Sequence, residues 1–459
     1  MSLIKSISGI RGTIGGKPGN TLSPLDIVKF TAGYGTWLMQ QGNKRKIVVG
    51  RDGRISGEMV QGLVVSTLNA LGLDVVDVGL STTPTVEVTV VSENAAGGII
   101  LTASHNPKEW NALKLLNDKG EFIDSKDGAA VLSLAEREEF TFAPVDKLGS
   151  YTQNTTALQK HIESIVNYPL VDVEAITKSK FKIIVDAINS TGAIAVPALL
   201  KALGVKDVTV LNDEVNGKFA HNPEPLPQHL SQLCNEVNRK KANLGIAVDP
   251  DVDRLCFVNE DGSFFGEEYT LVAVADYVLQ QRPGNTVSNM SSTRALKDIT
   301  VKHGGEYFPS AVGEVNVVNK MKAVNAVIGG EGNGGIIVPD LHYGRDALIG
   351  IALYLTYLAK SQKSSKQLRG AFPDYFISKN KIELDRAVNV QSIFEKIKKK
   401  YKNNPINTED GLRIEFENDW VHLRTSNTEP IIRIYAESSF ETTAENIARR
   451  IMHDIKEQL

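Results

Sequence analysis

The sequence predicts an α/β protein with three similar mixed α/β domains and a smaller α+β domain at the C-terminal end. Two observations carry this. A strand, turn, helix, Leu-Gly, strand unit occurs twice and then a third time in fainter form, and after Pro373 the pattern changes to short consecutive strands. Length adds a bound, since 459 residues suggest about three or four domains and 42% hydrophobic residues are enough to bury ordinary cores.

In chain order, Ile4 to Gly16 reads as a strand followed by Arg11 on a tight turn, flanked by Gly9 and Gly12. Such glycines let backbone approach an anion while arginine offers a planar fork of donors. A helix is expected over Pro24–Gln41. The first repeat unit follows: strand Ile47–Val49, a polar glycine turn, a helix through Ala70, Leu71-Gly72, and a strand ending near Val78. Residues Gly97–Leu101 form an apolar run that suits a buried strand, and Asn106-Pro107 forbids smooth continuation into helix, so Ser104 belongs on a sharp polar turn. The second unit is Phe181–Asp186, Ala195–Ala202, Leu203-Gly204 and Val208–Leu211, and the faint third runs from Thr286 to Tyr307-Phe308. A further strand is expected over Ala323–Ile328. Polar irregular sequence from Glu136 to Thr156, the Gly262–Glu267 stretch and the run Lys360–Gln367 mark the joints, giving domains 1-150, 151-262, 263-370 and 371-459. In the last of these, a helix Val390–Tyr401 precedes strands Leu412–Phe416, Trp420–Arg424 and Ile431–Ala436 and a helix Ala444–Gln458, an antiparallel arrangement.

A net charge of -3 with dispersed Lys and Arg leaves no basic footprint for nucleic acid. The two cysteines, Cys234 and Cys256, have neither C-x-x-C spacing nor a disulfide framework, which points to a reducing compartment. The first residues lack the apolar core of a signal peptide, and no run approaches bilayer length, so a cytoplasmic enzyme without a membrane partner is expected. Oligomeric state is not readable.

Chemistry concentrates where strand Leu244–Val248 empties into Asp249, Asp251 and Asp253. Closely spaced buried carboxylates repel unless a cation neutralises them, and an oxygen-only set suits Mg²⁺. A calcium-binding helix-loop-helix fails on context, because Arg254 stands where that loop needs glycine and Pro250 intrudes. The spacing Gly330-x-Gly332-x-x-Gly335 also satisfies a dinucleotide fingerprint, but the extended, proline-stopped Ile336–Pro339 follows where a helix should begin.

Thr102–Pro107 together with Asp249–Arg254 resembles the α-D-phosphohexomutase family, which includes phosphoglucomutase, phosphomannomutase and phosphoglucosamine mutase. Gly329–Gly335 resembles that family's sugar-recognition loop, and Arg424–Pro430 its phosphate-recognition loop. The resemblance implies four domains around a central cleft and Mg²⁺-dependent exchange between sugar 1-phosphate and 6-phosphate. It implies a phosphoryl group carried on Ser104, one Mg²⁺ held by Asp249, Asp251, Asp253 and an oxygen of that phosphoryl group, and a bisphosphorylated sugar as intermediate and activator. Lys114 matches the general acid/base, although alone it reads as an exposed helix lysine. Arg11, His105 and Arg254 would share developing charge. Arg254, Glu331 and Asn333 would meet the phosphosugar, while Arg424, Ser426, Asn427, Thr428 and Arg433 would grip the phosphate that stays in place. Glucosamine phosphate is the first choice of sugar, with mannose or glucose phosphate second. A non-catalytic phosphosugar-binding protein is the rival class, against which Ser104, the three aspartates and Lys114 argue. The sequence departs from several relatives, which carry serine where Asn333 stands and histidine where Gly335 stands, and His342 is not assigned that histidine's role.

Overall fold

The computed structural model describes residues 2–6, 9–384, 389–425 and 431–457. Its strands fall into four sheets, and three of them share one plan. In the first, Asp74–Leu80, Lys46–Arg51 and Gly97–Leu101 run parallel and Trp110–Leu116 closes the row antiparallel. Helices Gly57–Ala70 and Thr83–Ser92 make the crossovers that parallel neighbours require. The second sheet repeats the order with Asp207–Leu211, Lys182–Asp186, Leu244–Val248 and antiparallel Leu255–Asn259. The third does so with Tyr307–Ser310, Asn285–Asn289, Ala326–Glu331 and antiparallel Gly335–Ile337. In each, the last parallel strand turns back through a hairpin. Those three turns hold Ser104, Asp249–Arg254 and Gly332–Gly334, so one structural position, used three times, carries the predicted serine, the three aspartates with Arg254, and Asn333.

The first sheet is extended by Gly9–Thr13 and Ile4–Ser6 on one side and by Tyr151–Gln153 on the other. The stretch expected to be an irregular connection therefore contributes an edge strand, and Ser365–Arg369 within the expected polar break is a short helix with a capping box at Ser364. Arg11 lies inside strand Gly9–Thr13, not on a turn. Gly9 is required there because a Cβ would stand 2.2 Å from the Leu113 carbonyl oxygen, so Gly9 admits the neighbouring strand. Ala323 and Val324 end helix Glu314–Val324, and the strand begins only at Ala326. Lys114 sits on a strand, Trp110–Leu116, where alternation turns it toward the centre.

Packing ties the second and third units together. Every residue from Ala347 to Leu358 of helix Ala347–Ser361 is buried, and so is every residue from Tyr269 to Leu279 of helix Glu267–Gln281. Helices apolar all round must lie inside. One core accordingly runs from Ile162 through Phe257 and Tyr354 to Phe372, whereas the first and fourth units have cores of their own. The fourth sheet, Phe376–Glu383, Ile431–Ser438, Trp420–Thr425, Leu412–Glu415 and Ile406–Asn407, is antiparallel throughout and backed by helices Val390–Lys400 and Glu441–Lys456. No helix among the described residues is long and apolar enough to cross a membrane.

Candidate active site

Ser104 adopts φ +47°, a left-handed conformation that a turn this tight imposes and that costs a non-glycine residue roughly 1–2 kcal/mol. The neighbouring strand holds it there. The Ser104 amide donates to Thr102 Oγ1 at 2.9 Å, and Thr102 donates to Asp52 at 2.6 Å. Arg54, 2% exposed and paired with Asp52 at 3.1 Å, donates to the carbonyl oxygens of Ser104, Asn106, Pro107 and Trp110 at 2.6–2.8 Å. One guanidinium therefore fixes the whole loop.

Ser104 Oγ faces the next domain and donates to Asp249 Oδ2 at 2.7 Å. Asp249, Asp251 and Asp253 are fully buried, with carboxylate oxygens lying within 4.8 Å of one another. Thr83 and Lys114 hold Asp251 Oδ2 at 2.6 and 2.7 Å, and Arg345 holds Asp253 Oδ2 at 2.7 Å. Asp249 Oδ1 accepts from the amides of Asp253 and Arg254. The opposite oxygens, Asp251 Oδ1 and Asp253 Oδ1, are buried without a hydrogen-bond partner among the described residues. Two oriented, orphaned carboxylate oxygens beside a third carboxylate form a set that fits a hard divalent cation. Electrostatics agree: burial, then Asp251 and Asp253, push Asp249 well above the usual carboxylate range. Burial also works to raise Asp251, but Lys114 holds it below that range, and in turn burial's pull on Lys114 is outweighed by Asp251 and Asp253, which keep it protonated.

The remaining predicted residues divide. His105 Nδ1 lies 3.4 Å from Ser104 Oγ, and burial, with the charges of Arg254, Arg345 and Arg11, lowers its pKa well below the usual histidine value. Arg254 reaches Glu224 at 3.3 Å and leaves its buried Nε without a partner among the described residues, as does Arg11. Burial, and then the charge of Arg433, lower the pKa of Arg11. Glu331 is 4% exposed, and both its oxygens are engaged: Oε1 by Asn289 and the Gly313 amide, Oε2 by Arg345 at 2.8 Å and Asn333 at 3.4 Å. Asn333 also accepts from the Gly335 amide, so it braces its own loop. Arg424 and Arg433 stand directly opposite on adjacent strands, and Asp410 pairs with Arg424 at 2.6 Å. Ser426, Asn427 and Thr428 lie outside the described residues.

Sequence reasoning missed Arg54, Thr83, Glu224, Asp410 and Arg345. The Asp52-Gly53-Arg54 turn directly after a strand is the one local hint; no local pattern marks the partners of the others. His342 is engaged by Asp346 at 3.2 Å and Glu87 at 3.3 Å, both buried.

Family models for phosphoglucomutase/phosphomannomutase match the chain in four consecutive pieces: α/β/α domain I over residues 3–142, domain II over 159–262, domain III over 266–376, and the C-terminal domain over 381–454. A phosphoglucomutase/phosphomannomutase of Thermococcus kodakarensis is 38% identical over 441 residues, covering 94% of this chain and 95% of that protein. A probable phosphoglucosamine mutase of Methanopyrus kandleri is 32% identical, covering 98% of each. The crystal structure of a phosphoglucomutase/phosphomannomutase family protein from Burkholderia thailandensis superposes with a TM-score of 0.86 at 27% identity, covering 99% of this chain and 98% of that one. Matched along nearly its whole length in both sequence and fold, the chain belongs to the phosphoglucomutase/phosphomannomutase family, the α-D-phosphohexomutases, and is an isomerase-class phosphotransferase.

Proposed function

We propose that this enzyme exchanges the 1- and 6-phosphates of a hexose through a phosphoryl group on Ser104, with one Mg²⁺ held by Asp249, Asp251 and Asp253. The observation that carries the reading is the 2.7 Å contact between Ser104 Oγ of one domain and Asp249 of the next, at a carboxylate trio with two free oxygens. When bound there, Mg²⁺ supplies charge neutralisation for the phosphoryl oxygens.

The protein's own groups do the rest. A sugar hydroxyl attacks phosphorus and the P–Oγ bond of phospho-Ser104 breaks. Lys114, held as a cation, gives a proton to the departing Ser104 Oγ and takes the hydroxyl's proton in its place, ending charged as it began. Arg11 and Arg254, with donors still unpartnered, take up phosphoryl charge, while neutral His105 contributes a hydrogen bond. The resulting bisphosphate turns over and returns its other phosphate to Ser104. Glu331 accepts from sugar hydroxyls by giving up its long contact with Asn333. Arg424 and Arg433, with the loop Ser426–Thr428, grip the phosphate that is not transferred, and the repulsion between two facing arginines is relieved when that anion arrives.

For the sugar, glucosamine phosphate comes first, favoured by the Methanopyrus relative and by the resemblance of the Gly329–Gly335 loop. Glucose and mannose phosphates are the second reading, favoured by the 38% identical phosphoglucomutase/phosphomannomutase. Conversion of glucose, mannose and glucosamine 1-phosphates to 6-phosphates, with Mg²⁺ and then with chelator, tests this. Metal-dependent conversion of at least one is expected; binding of all three without turnover would assign the chain to the non-catalytic class.

A further inference from the structure

Position 335 carries no side chain, and the space is not empty. A Cβ on Gly335 would stand 2.3 Å from Arg345 Cδ and 3.0 Å from Cγ. Arg345 comes from the segment just before helix Ala347–Ser361, and its guanidinium meets three carboxylates with three different nitrogens: Nε to Glu314 at 3.1 Å, Nη1 to Glu331 at 2.8 Å and Nη2 to Asp253 at 2.7 Å. Its backbone amide also donates to Glu314. The residue is 8% exposed. Its contact with Asp253 uses Oδ2 alone and leaves Oδ1 free at the carboxylate trio. Its contact with Glu331 uses the oxygen that Asn333 also approaches. A rigid planar group thus spans the metal aspartate of the second domain and the glutamate of the third domain's loop, and it can do so because residue 335 is glycine.

We propose that Arg345 is a positioning residue that sets the orientation of Asp253 toward the cation and of Glu331 toward the sugar at once, occupying the place that a side chain at 335 would take. The proposal rests on the reading of the trio as a Mg²⁺ centre. Lysine offers a single point charge where three separate directions must be met, so it does not replace this fork. Outer groups that orient ligating carboxylates typically govern metal affinity by about 10–100-fold. Gly335 lies on an extended strand where alanine is conformationally acceptable; its effect is exerted by pushing on Arg345.

The test measures Mg²⁺ and glucose 1-phosphate binding by titration calorimetry on wild type, Arg345→Lys, Gly335→Ala and the double variant, with thermal melts as a control. Arg345→Lys is expected to weaken both ligands about tenfold or more. Gly335→Ala, which contacts no aspartate, is expected to weaken Mg²⁺ in the same direction while melting near wild type. The double variant should bind Mg²⁺ no worse than Arg345→Lys alone, because both changes break one link. Additive losses, or a Gly335→Ala protein with unchanged Mg²⁺ affinity, would overturn the proposal and leave the Mg²⁺ centre standing. Wild-type protein that binds no Mg²⁺ would refute the metal reading itself, and this inference with it.

Discussion

Ser104, the proposed carrier of the phosphoryl group, holds a left-handed backbone conformation, a pattern common where a scaffold fixes a reactive group. Removing the hydroxyl should therefore separate strain from function. Both Ser104→Ala and Ser104→Gly lose the bond to Asp249 and should abolish turnover, but glycine alone relieves the left-handed φ. We expect the glycine variant to be more stable than the alanine variant by about 1 kcal/mol in denaturant melts, the reverse of the usual preference. Equal stability would mean that φ +47° is not strained in this loop. Asp249 makes the complementary case. Its carboxylate is pushed upward by burial and by Asp251 and Asp253, and asparagine keeps an acceptor for the amides of Asp253 and Arg254. In metal-free protein Asp249→Asn should be neutral or stabilising, while Mg²⁺ affinity falls about tenfold or more. A marked loss of metal-free stability would show that the three charges are compensated without a cation.

At the scale of elements, the recurring hairpin turn explains which parts of the site could be read from sequence. Ser104, the three aspartates and the Gly329–Gly335 loop are each local: an apolar strand runs straight into polar or glycine residues, and the chemistry lies within a few positions. Arg54 shows only its turn after a strand, since the Ser104 loop it fixes begins 50 residues on, and Arg345 gives no such signal, since it reaches Asp253 across 92 residues. Helix Ala347–Ser361, buried on all sides, lacks the periodicity that marks an amphipathic helix, so no element was assigned there. The three-domain junction was equally hidden. There Glu87 of helix Thr83–Ser92, His161 of helix Ala157–Val166 and Asp346, the N-cap of helix Ala347–Ser361, converge with His342. Burial works to lower the pKa of His342, but Asp346 and Glu87 raise it to about 10, and burial raises Glu87 to about 8. A histidine raised in the folded state contributes stability that is full below its unfolded value of about 6.5 and is lost as pH rises through 10; Glu87 works in the same direction from about 4.5 through 8. Melting temperature should fall between about pH 7 and 10, and the fall should be shallower in His342→Gln; parallel curves would remove the junction from the explanation. Arg54→Met offers a sharper local test, with an expected cost of about 3–5 kcal/mol for stranding buried Asp52 and the loop carbonyls.

Taken as a whole molecule, the chain joins the second and third units through one core, whereas polar contacts tie the fourth unit, which has its own core, to the third. His422 meets Ser291 at 2.9 Å, the Val312 amide donates to Asp410 at 2.9 Å, and Arg413 meets the Met290 carbonyl. That attachment is compatible with the proposal that the fourth domain closes on bound phosphate. Arg424→Ala should cut kcat/KM about tenfold or more, since a bond to a charged group contributes about 1.5–3 kcal/mol, and should leave Mg²⁺ binding and Ser104 chemistry intact. Loss of Mg²⁺ in that variant would contradict the division of labour between domains. Passage of the phosphoryl group through Ser104 is the step on which the proposed mechanism stands. Intact mass and peptide mapping after incubation with glucose 1,6-bisphosphate and Mg²⁺ test it most directly. One added phosphate is expected, located on Ser104 and removed again by excess glucose 1-phosphate; turnover without a phosphate on Ser104 would refute the mechanism.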